Sequence, residues 1–169
     1  MKKNKKNDSL HVMKILLIGS GGREHAIALK LSKSPKLTQL YTAPGNPGTA
    51  ELGQNVPINE NQSEKLLKFA KDNNIDITFV GPEAPLASGL VDLFSQHNLS
   101  IIGPDQEGAL LESSKAWAKS KMKAYNIPTA EYEEFIDFES AKHYIMNANT
   151  YPIVIKANGL AAGKGVTIA

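Results

Sequence analysis

The stretch from Ile15 to Ala26, ILLIGSGGREHA, constrains the fold of this chain more than any other. It runs from four apolar residues directly into the glycine turn Gly19–Gly22, after which Arg23 begins a segment with a helical pattern. An apolar run without polar alternation is typical of a parallel strand that is covered on both faces. Backbone amides at a helix N-terminus attract anions, phosphate above all. The stretch therefore predicts a buried strand and a phosphate-facing turn.

Further strands are predicted at Gln39–Ala43, Ile75–Val80 and Leu99–Ile102, and segments with helical periodicity lie between them, including Leu86–His97. This alternation at short spacing predicts an α/β fold with a doubly wound, Rossmann-like parallel sheet that binds ligands at the carboxyl ends of its strands. Four strand exits should converge on that edge: Gly19–Gly22, Pro44–Gly48, Gly81–Glu83 and Gly103–Pro104. The segment Ala43–Gly53, rich in glycine and proline, is predicted to be a fixed irregular loop.

The pattern changes near Ser113, where we predict a domain boundary between residues 13–113 and 114–169. Ser113 or Ser114 can cap a helix that ends at Asn126. Residues 130–138 are then predicted to be extended and 139–149 helical. A strand at Ile153–Lys156 leads into a glycine-rich loop.

The positive net charge of +2 belongs to the N-terminal tail. From Met13 onward the chain has 15 basic and 16 acidic residues, because four lysines and one aspartate of the whole chain precede it. The charge therefore gives little support to a nucleic-acid partner, and residues 1–12 are predicted to form a disordered basic tail. No apolar stretch approaches the ~18 residues of a membrane helix, and the absence of cysteine favours a cytoplasmic protein.

A dinucleotide site would need the pattern G-x-G-x-x-G and an acidic residue about 20 positions further on. Gly19 and Gly21 match, but Glu24 occupies the third glycine position, and Tyr41–Ala43 offers no carboxylate to a ribose. The sequence therefore disfavours NAD. A turn with a purely structural role stays open as an alternative.

The segment Gly159–Val166 resembles a Walker loop but has three residues, not four, before the Gly-Lys pair, and Gly165 follows Lys164. Glycines and a lysine after a strand that ends in Lys156 suit a mobile flap over nucleotide phosphates. A solvated hairpin loop is the alternative.

Single residues at the strand exits carry less specific signals. Arg23 can form a fork to phosphate, and Glu83 can accept sugar hydroxyls or stabilise a helix start. His25 is predicted to have a structural role. No metal-ligand spacing and no nucleophilic triad is evident, so the sequence identifies no catalytic residue.

Six separated motifs together resemble the N-terminal part of the phosphoribosylamine–glycine ligases, or glycinamide ribonucleotide synthetases, which are ATP-grasp enzymes of purine biosynthesis. The motifs are GSGGREHA at Gly19, APGNPGTA at Ala43, GPEAPL at Gly81, SKAWAK at Ser114, IPTA at Ile127 and PIVIKANGLAAGKGV at Pro152. The resemblance implies that ATP phosphorylates glycine and that the amine of 5-phosphoribosylamine attacks the glycyl phosphate. The products would be glycinamide ribonucleotide, ADP and phosphate.

The resemblance also implies roles for individual residues. Those implied to bind the phosphosugar are Gly19, Gly21, Gly22, Arg23, Asn46, Pro47, Gly48 and Glu83, the last facing the ribose. Those implied to bind ATP are Lys115, Lys156, Gly159, Gly163, Lys164 and Gly165. Asn158 and Trp117 depart from the family's usual aspartate and phenylalanine, which leaves open the charge of the glycine loop.

Members of the family are roughly two and a half times as long as this chain, more than one ordinary domain. We therefore expect an N-terminal fragment without ligase activity that holds the start of an ATP-grasp domain, with the Mg²⁺ ligands beyond Ala169. A non-catalytic small-molecule-binding or interaction module on the same fold is the second hypothesis, and a nicotinamide oxidoreductase the third.

Overall fold

The computed structural model describes residues 12–161 and 163–169, so the predicted basic tail lies outside the described residues except for Val12. The chain divides into two compact units between Gln106 and Glu107. The domain limits of 13–113 and 114–169 stay a prediction.

The first unit is built on a five-stranded sheet in the order β3-β2-β1-β4-β5, in which every pair of neighbours is parallel. The strands are β1 (Met13–Gly19), β2 (Leu37–Pro44), β3 (Gln54–Asn55), β4 (Ile77–Val80) and β5 (Ile101–Ile102). From β1 the chain adds strands toward one edge of the sheet and then, from β4, toward the other edge, so the winding reverses between β1 and β4. Doubly wound folds bind their ligands at this point. The predicted fold class is confirmed.

The helices of the first unit are α1 (Gly22–Ser32), α2 (Pro47–Ala50), α3 (Ser63–Asp72), α4 (Glu83–Ala87) and α5 (Leu90–Gln96). Helix α6 (Gln106–Ser113) begins at the last residue of the first unit, and its other residues belong to the second. The helix predicted over Leu86–His97 is in fact two helices, because Gly89 adopts a left-handed conformation with φ +80°. The predicted irregular loop Ala43–Gly53 contains the short helix α2, and β3 follows it directly. Helix α6 was not predicted.

The core of the first unit lies on both faces of β1. Leu16 and Ile18 pack with Leu66 and Phe94 on one face, and Leu17 packs with Leu40 and others on the opposite face. All of these residues are almost completely buried. Coverage on both sides explains why β1 lacks the polar alternation of a half-exposed strand.

The second unit contains α7 (Lys115–Ala124), α8 (Phe138–Met146) and an antiparallel hairpin of β6 (Val154–Lys156) and β7 (Val166–Ile168). Ser114 caps α7, because its hydroxyl accepts a hydrogen bond from Trp117 N at 3.2 Å. Among the described apolar side chains of this unit, only Ala109 and Ala118 are buried.

Within the part of the chain that the structure describes, no helix is long and apolar enough to cross a membrane.

Candidate functional site

Three strand exits of the first unit are joined by backbone hydrogen bonds at the carboxyl edge of the sheet. Gly45 N, after β2, donates to Gly19 O at 3.1 Å, and Gly81 N, after β4, donates to Ile18 O at 3.0 Å. The turns after β1, β2 and β4 therefore lie side by side, with β1 in the middle.

Arg23 and Glu83 form a two-pronged ion pair across this edge. Arg23 Nη1 donates to Glu83 Oε1 at 2.8 Å and Nη2 donates to Oε2 at 3.2 Å. The side chains are 65% and 41% exposed. The hydrogen bond from Arg23 is the main cause that lowers the pKa of the Glu83 carboxyl, followed by the backbone at the start of α4. The pair therefore fixes the orientation of an ionised carboxylate that solvent and ligands can reach.

Asn46 connects the turn after β2 to the turn after β1. Its Oδ1 accepts from Thr49 N at 3.0 Å, which caps α2, and its Nδ2 donates to Ser20 O at 2.9 Å and Gly21 O at 3.3 Å. Pro47 at the first helical position suits a helix start, and Gly48 follows it. The side chain of Asn46 thus links the two turns by hydrogen bonds.

Asn55 stabilises this connection through two hydrogen bonds of its side chain. It is a site residue that was not predicted from the sequence. Its Nδ2 donates to Asn46 O at 2.7 Å, and its Oδ1 accepts from Thr49 Oγ1 at 2.7 Å. It also lies against Gly45, which has φ +75° and has no room for a side chain there. The strand β3 that carries Asn55 is only two residues long, so no periodicity in the sequence could have signalled it.

The side chain of Glu24 lies beneath the glycine turn. Glu24 is 3% exposed, and its Oε2 accepts a hydrogen bond from Gly21 N at 2.7 Å. Its Oε1 is buried without a hydrogen-bond partner among the described residues. The sequence marked Glu24 only as the residue that interrupts the dinucleotide pattern.

Gly22, after β1, and Gly48, after β2, differ in access. A Cβ placed on Gly22 would meet no atom within 4 Å, so a ligand has room to approach its backbone. A Cβ on Gly48 would overlap the imidazole ring of His25, which therefore covers that glycine. This packing fits the structural role predicted for His25.

In the second unit, the start of α7 contacts the start of the glycine-rich loop. Lys115 Nζ donates to Gly159 O at 2.8 Å, and Ala116 N donates to Asn158 Oδ1 at 3.3 Å. One predicted nucleotide-binding lysine thus lies directly on the loop with which it was predicted to act.

The glycine-rich loop connects β6 to β7. Ala157 N donates to Gly165 O at 2.7 Å, and Gly159 and Gly163 have φ values of +91° and +76°. Lys156 and Lys164 are exposed. Among the described residues, no hydrogen bond or ion pair joins the side chains of these two lysines to another predicted site residue.

The described residues fit an ATP phosphate site better than a metal site. A lysine ammonium beside a glycine-rich loop supplies positive charge and accessible backbone amides. No group of three or more His, Cys, Asp or Glu side chains that could hold a metal ion occurs among the described residues.

Comparison with protein families identifies first the class and then the family. The profile described as "Phosphoribosylglycinamide synthetase, ATP-grasp (A) domain" matches residues 113–169, which places the chain among the ATP-grasp proteins. The profile described as "Phosphoribosylglycinamide synthetase, N domain" matches residues 13–112. The chain belongs to the phosphoribosylglycinamide synthetase family.

Relatives and solved structures agree with this assignment. The chain is 52% identical over 157 residues to the phosphoribosylamine–glycine ligase of Halalkalibacterium halodurans and 53% identical over 156 residues to that of Clostridium acetobutylicum. These alignments cover 93% and 92% of this chain but only 36% and 37% of the relatives. The chain thus spans little more than a third of their length.

Among solved structures, the phosphoribosylamine–glycine ligase of Thermotoga maritima matches with a TM-score of 0.71 and 35% identity, over 92% of this chain and 35% of that one. The N5-carboxyaminoimidazole ribonucleotide synthetase of the same organism matches with a TM-score of 0.68 and 22% identity, over 93% of this chain and 41% of that one. The second likeness concerns the fold alone.

Proposed function

We propose that this chain carries the phosphosugar-facing part and the first nucleotide-facing part of a phosphoribosylamine–glycine ligase. In that reaction ATP transfers a phosphoryl group to the carboxylate of glycine. The amine of 5-phosphoribosylamine then forms the amide bond at the acyl carbon and phosphate leaves, which gives glycinamide ribonucleotide and ADP. The single observation that carries this proposal is the Arg23–Glu83 pair at the carboxyl edge of a sheet in a chain of this family.

The chemistry of the strand-exit edge suits a phosphosugar. The oriented carboxylate of Glu83 can accept hydrogen bonds from sugar hydroxyls, while Arg23 holds that carboxylate and can offer further N–H donors. The backbone of Gly22 has open space around it and lies in the first turn of α1, where N–H groups attract a phosphate. Gly19 and Gly21 would form the turn after β1 that borders the ligand, and the Asn46–Gly48 segment would form the neighbouring turn after β2.

The chemistry of the glycine-rich loop suits the phosphates of ATP. Lys115, Lys156 and Lys164 would supply positive charge, and the backbone amides of Gly159, Gly163 and Gly165 would lie close to phosphate oxygens. Lys115 would exchange its hydrogen bond to Gly159 O for one to a phosphate. In a cytoplasmic enzyme, Mg²⁺ would come with the nucleotide.

Calorimetric titration of this chain with glycinamide ribonucleotide tests the phosphosugar site. We expect saturable binding that Glu83→Gln weakens at least tenfold, because an amide cannot replace a carboxylate that accepts from both hydroxyls and Arg23. Glu64→Gln is the matched control, since Glu64 is an exposed first-turn glutamate of α3. Equal affinity of the wild-type chain and the Glu83→Gln variant would refute this site, and absence of binding would favour the non-catalytic module.

The expected lack of ligase activity in the 169-residue chain stays a prediction. Release of ADP that depends on both glycine and 5-phosphoribosylamine, measured with the purified chain, would contradict it. Binding of ADP that Lys115→Ala weakens would support the nucleotide role of the second unit in the same preparation.

A further inference from the structure

We propose that Glu24 is a specificity-determining residue: its side chain closes the turn after β1 to the diphosphate group of a ligand, so that this Rossmann-like sheet does not bind dinucleotides.

The position of Glu24 is the basis of this inference. In dinucleotide-binding sheets, the third glycine of the pattern allows close packing, and the diphosphate sits at the N-terminus of the first helix. Here Gly19 and Gly21 occupy the first two glycine positions and Glu24 the third. The turn therefore matches the pattern at its first two glycines but carries a side chain at the third position, where the pattern has none.

The Glu24 side chain fills the space between the ends of β1 and β4. A Cβ on Gly19 would lie 2.5 Å from Glu24 Cγ, and a Cβ on Gly81 would overlap Glu24 Oε1. Both glycines end or follow adjacent strands, at the point where the winding of the sheet reverses. The side chain is thus buried at the bottom of the crevice in which a dinucleotide would lie.

The carboxylate also takes the hydrogen-bond donor that a diphosphate would need. Gly21 N donates to Glu24 Oε2 at 2.7 Å. Because Oε1 has no partner among the described residues, the carboxylate is not held there by a full set of hydrogen bonds. The carboxyl group thus occupies the position in the turn where an oxygen of a diphosphate would accept this hydrogen bond.

A terminal phosphate remains compatible with this turn, because Gly22 has open space on the outer side. The inference therefore agrees with the proposed phosphosugar site but does not depend on it. Exclusion of dinucleotides can be measured without any phosphosugar.

The test is to remove the side chain and measure dinucleotide binding. Glu24→Gly restores the glycine pattern, and we expect this chain to bind NAD⁺ at least tenfold more tightly than wild type in calorimetric titrations. Glu64→Gly is the matched control for a lost first-turn carboxylate, and we expect no gain from it. A folded Glu24→Gly chain that binds NAD⁺ no more tightly than wild type, or an equal gain in Glu64→Gly, would overturn the proposal.

A measurement on the wild-type chain decides the question if Glu24→Gly does not fold. We expect the amide resonance of Gly21 to show no saturable shift in nuclear magnetic resonance spectra when NAD⁺, whose diphosphate has no terminal phosphate, is added, since Glu24 already accepts its hydrogen bond. A saturable shift of that resonance would overturn the proposal. Failure of glycinamide ribonucleotide to bind would instead refute the proposed function and leave this result intact.

Discussion

The strand-exit edge of the first unit and the glycine-rich loop of the second unit are both predicted to face phosphates, but they are built differently. At the strand exits, side chains are buried or paired: Glu24 fills the crevice and Arg23 holds Glu83. The glycine-rich loop is exposed, and two hydrogen bonds from Lys115 and Ala116 hold its start. Side-chain packing and an ion pair thus hold the strand-exit edge, whereas hydrogen bonds to Gly159 O and Asn158 Oδ1 hold the start of the glycine-rich loop.

The two units also differ in how many of their residues are buried. The first unit has a core on both faces of β1, while the strands and helix α8 of the second unit have no buried residue. Local stability depends on such buried contacts. We infer that the first unit contributes most of the stability of this chain, and the predictions below test that inference in order of expected effect.

The largest effect should come from removing a core aromatic residue of the first unit. Phe94 is 0% exposed, and Phe94→Ala should lower the free energy of unfolding by about 3–5 kcal/mol, since a cavity replaces buried contacts. Phe138, 73% exposed in α8, is the matched control, and Phe138→Ala should cost no more than ~0.5 kcal/mol. Urea denaturation followed by circular dichroism measures both. An equal loss of unfolding free energy in the two variants would contradict the inference that the first unit contributes most of the stability.

Crowding of the strand-exit edge should have the next largest effect. Gly81→Ala would drive a methyl group into Glu24 Oε1 and should cost about 1–3 kcal/mol through overpacking. Gly22→Ala is the control from the adjacent turn, where a methyl group meets no atom within 4 Å. We expect its unfolding midpoint to stay near that of wild type. If Gly81→Ala were equally harmless, Glu24 would not fill the crevice as described.

The partly buried hydrogen bonds of Asn55 should contribute more to stability than the exposed hydrogen bond of Asn158 in the second unit. Asn55→Ala removes the hydrogen bonds to Asn46 O and Thr49 Oγ1 and should cost about 1–2 kcal/mol. Asn158→Ala removes one exposed bond of 3.3 Å and should cost less than ~1 kcal/mol. Thermal unfolding of the two variants compares them directly. A larger loss from Asn158→Ala would reverse the comparison.

The order of most strands and helices in the first unit could be predicted from the sequence, because each of these elements has a clear pattern within a short stretch of the chain. The unalternating run of β1 predicts coverage on both faces, and the glycines after it predict a turn, as the structure confirms. The short elements α2 and β3 depend instead on side-chain contacts of Asn46 and Asn55 with neighbouring turns. Such contacts have no periodicity, so the sequence alone could not indicate them.

The candidate site shows the same limit. Arg23 and Glu83 could be assigned to one edge because the carboxyl ends of parallel strands converge, but nothing in the sequence pairs them across 60 positions. Glu24 could be recognised as an exception to a glycine pattern. Whether its side chain points to solvent or into the crevice depends on the space beside Gly19 and Gly81, which only the folded sheet defines.

The smallest expected effect is the dependence of stability on pH and salt at two carboxylates, Glu83 and Asp137. The pKa values of both are lowered. The hydrogen bond from Arg23 lowers the pKa of Glu83, whereas the backbone N–H of Ser140 is the main cause that lowers the pKa of Asp137 at the start of α8. A lowered folded pKa means that each contribution to stability is present above the ordinary carboxyl pKa and is lost as the pH falls through the lowered value.

The two contributions should respond differently to salt. Because the Glu83 side chain is exposed, its pair with Arg23 should contribute no more than ~1 kcal/mol, measured as the stability difference between wild type and Glu83→Gln at neutral pH. That difference should shrink on acidification and also on addition of salt, which screens the ion pair. The difference between wild type and Asp137→Ala should shrink on acidification but persist in salt, because a backbone N–H, not a charged side chain, is its main partner. An equal salt response of both variants in urea denaturation would show that Arg23 does not stabilise the Glu83 carboxylate through its charge.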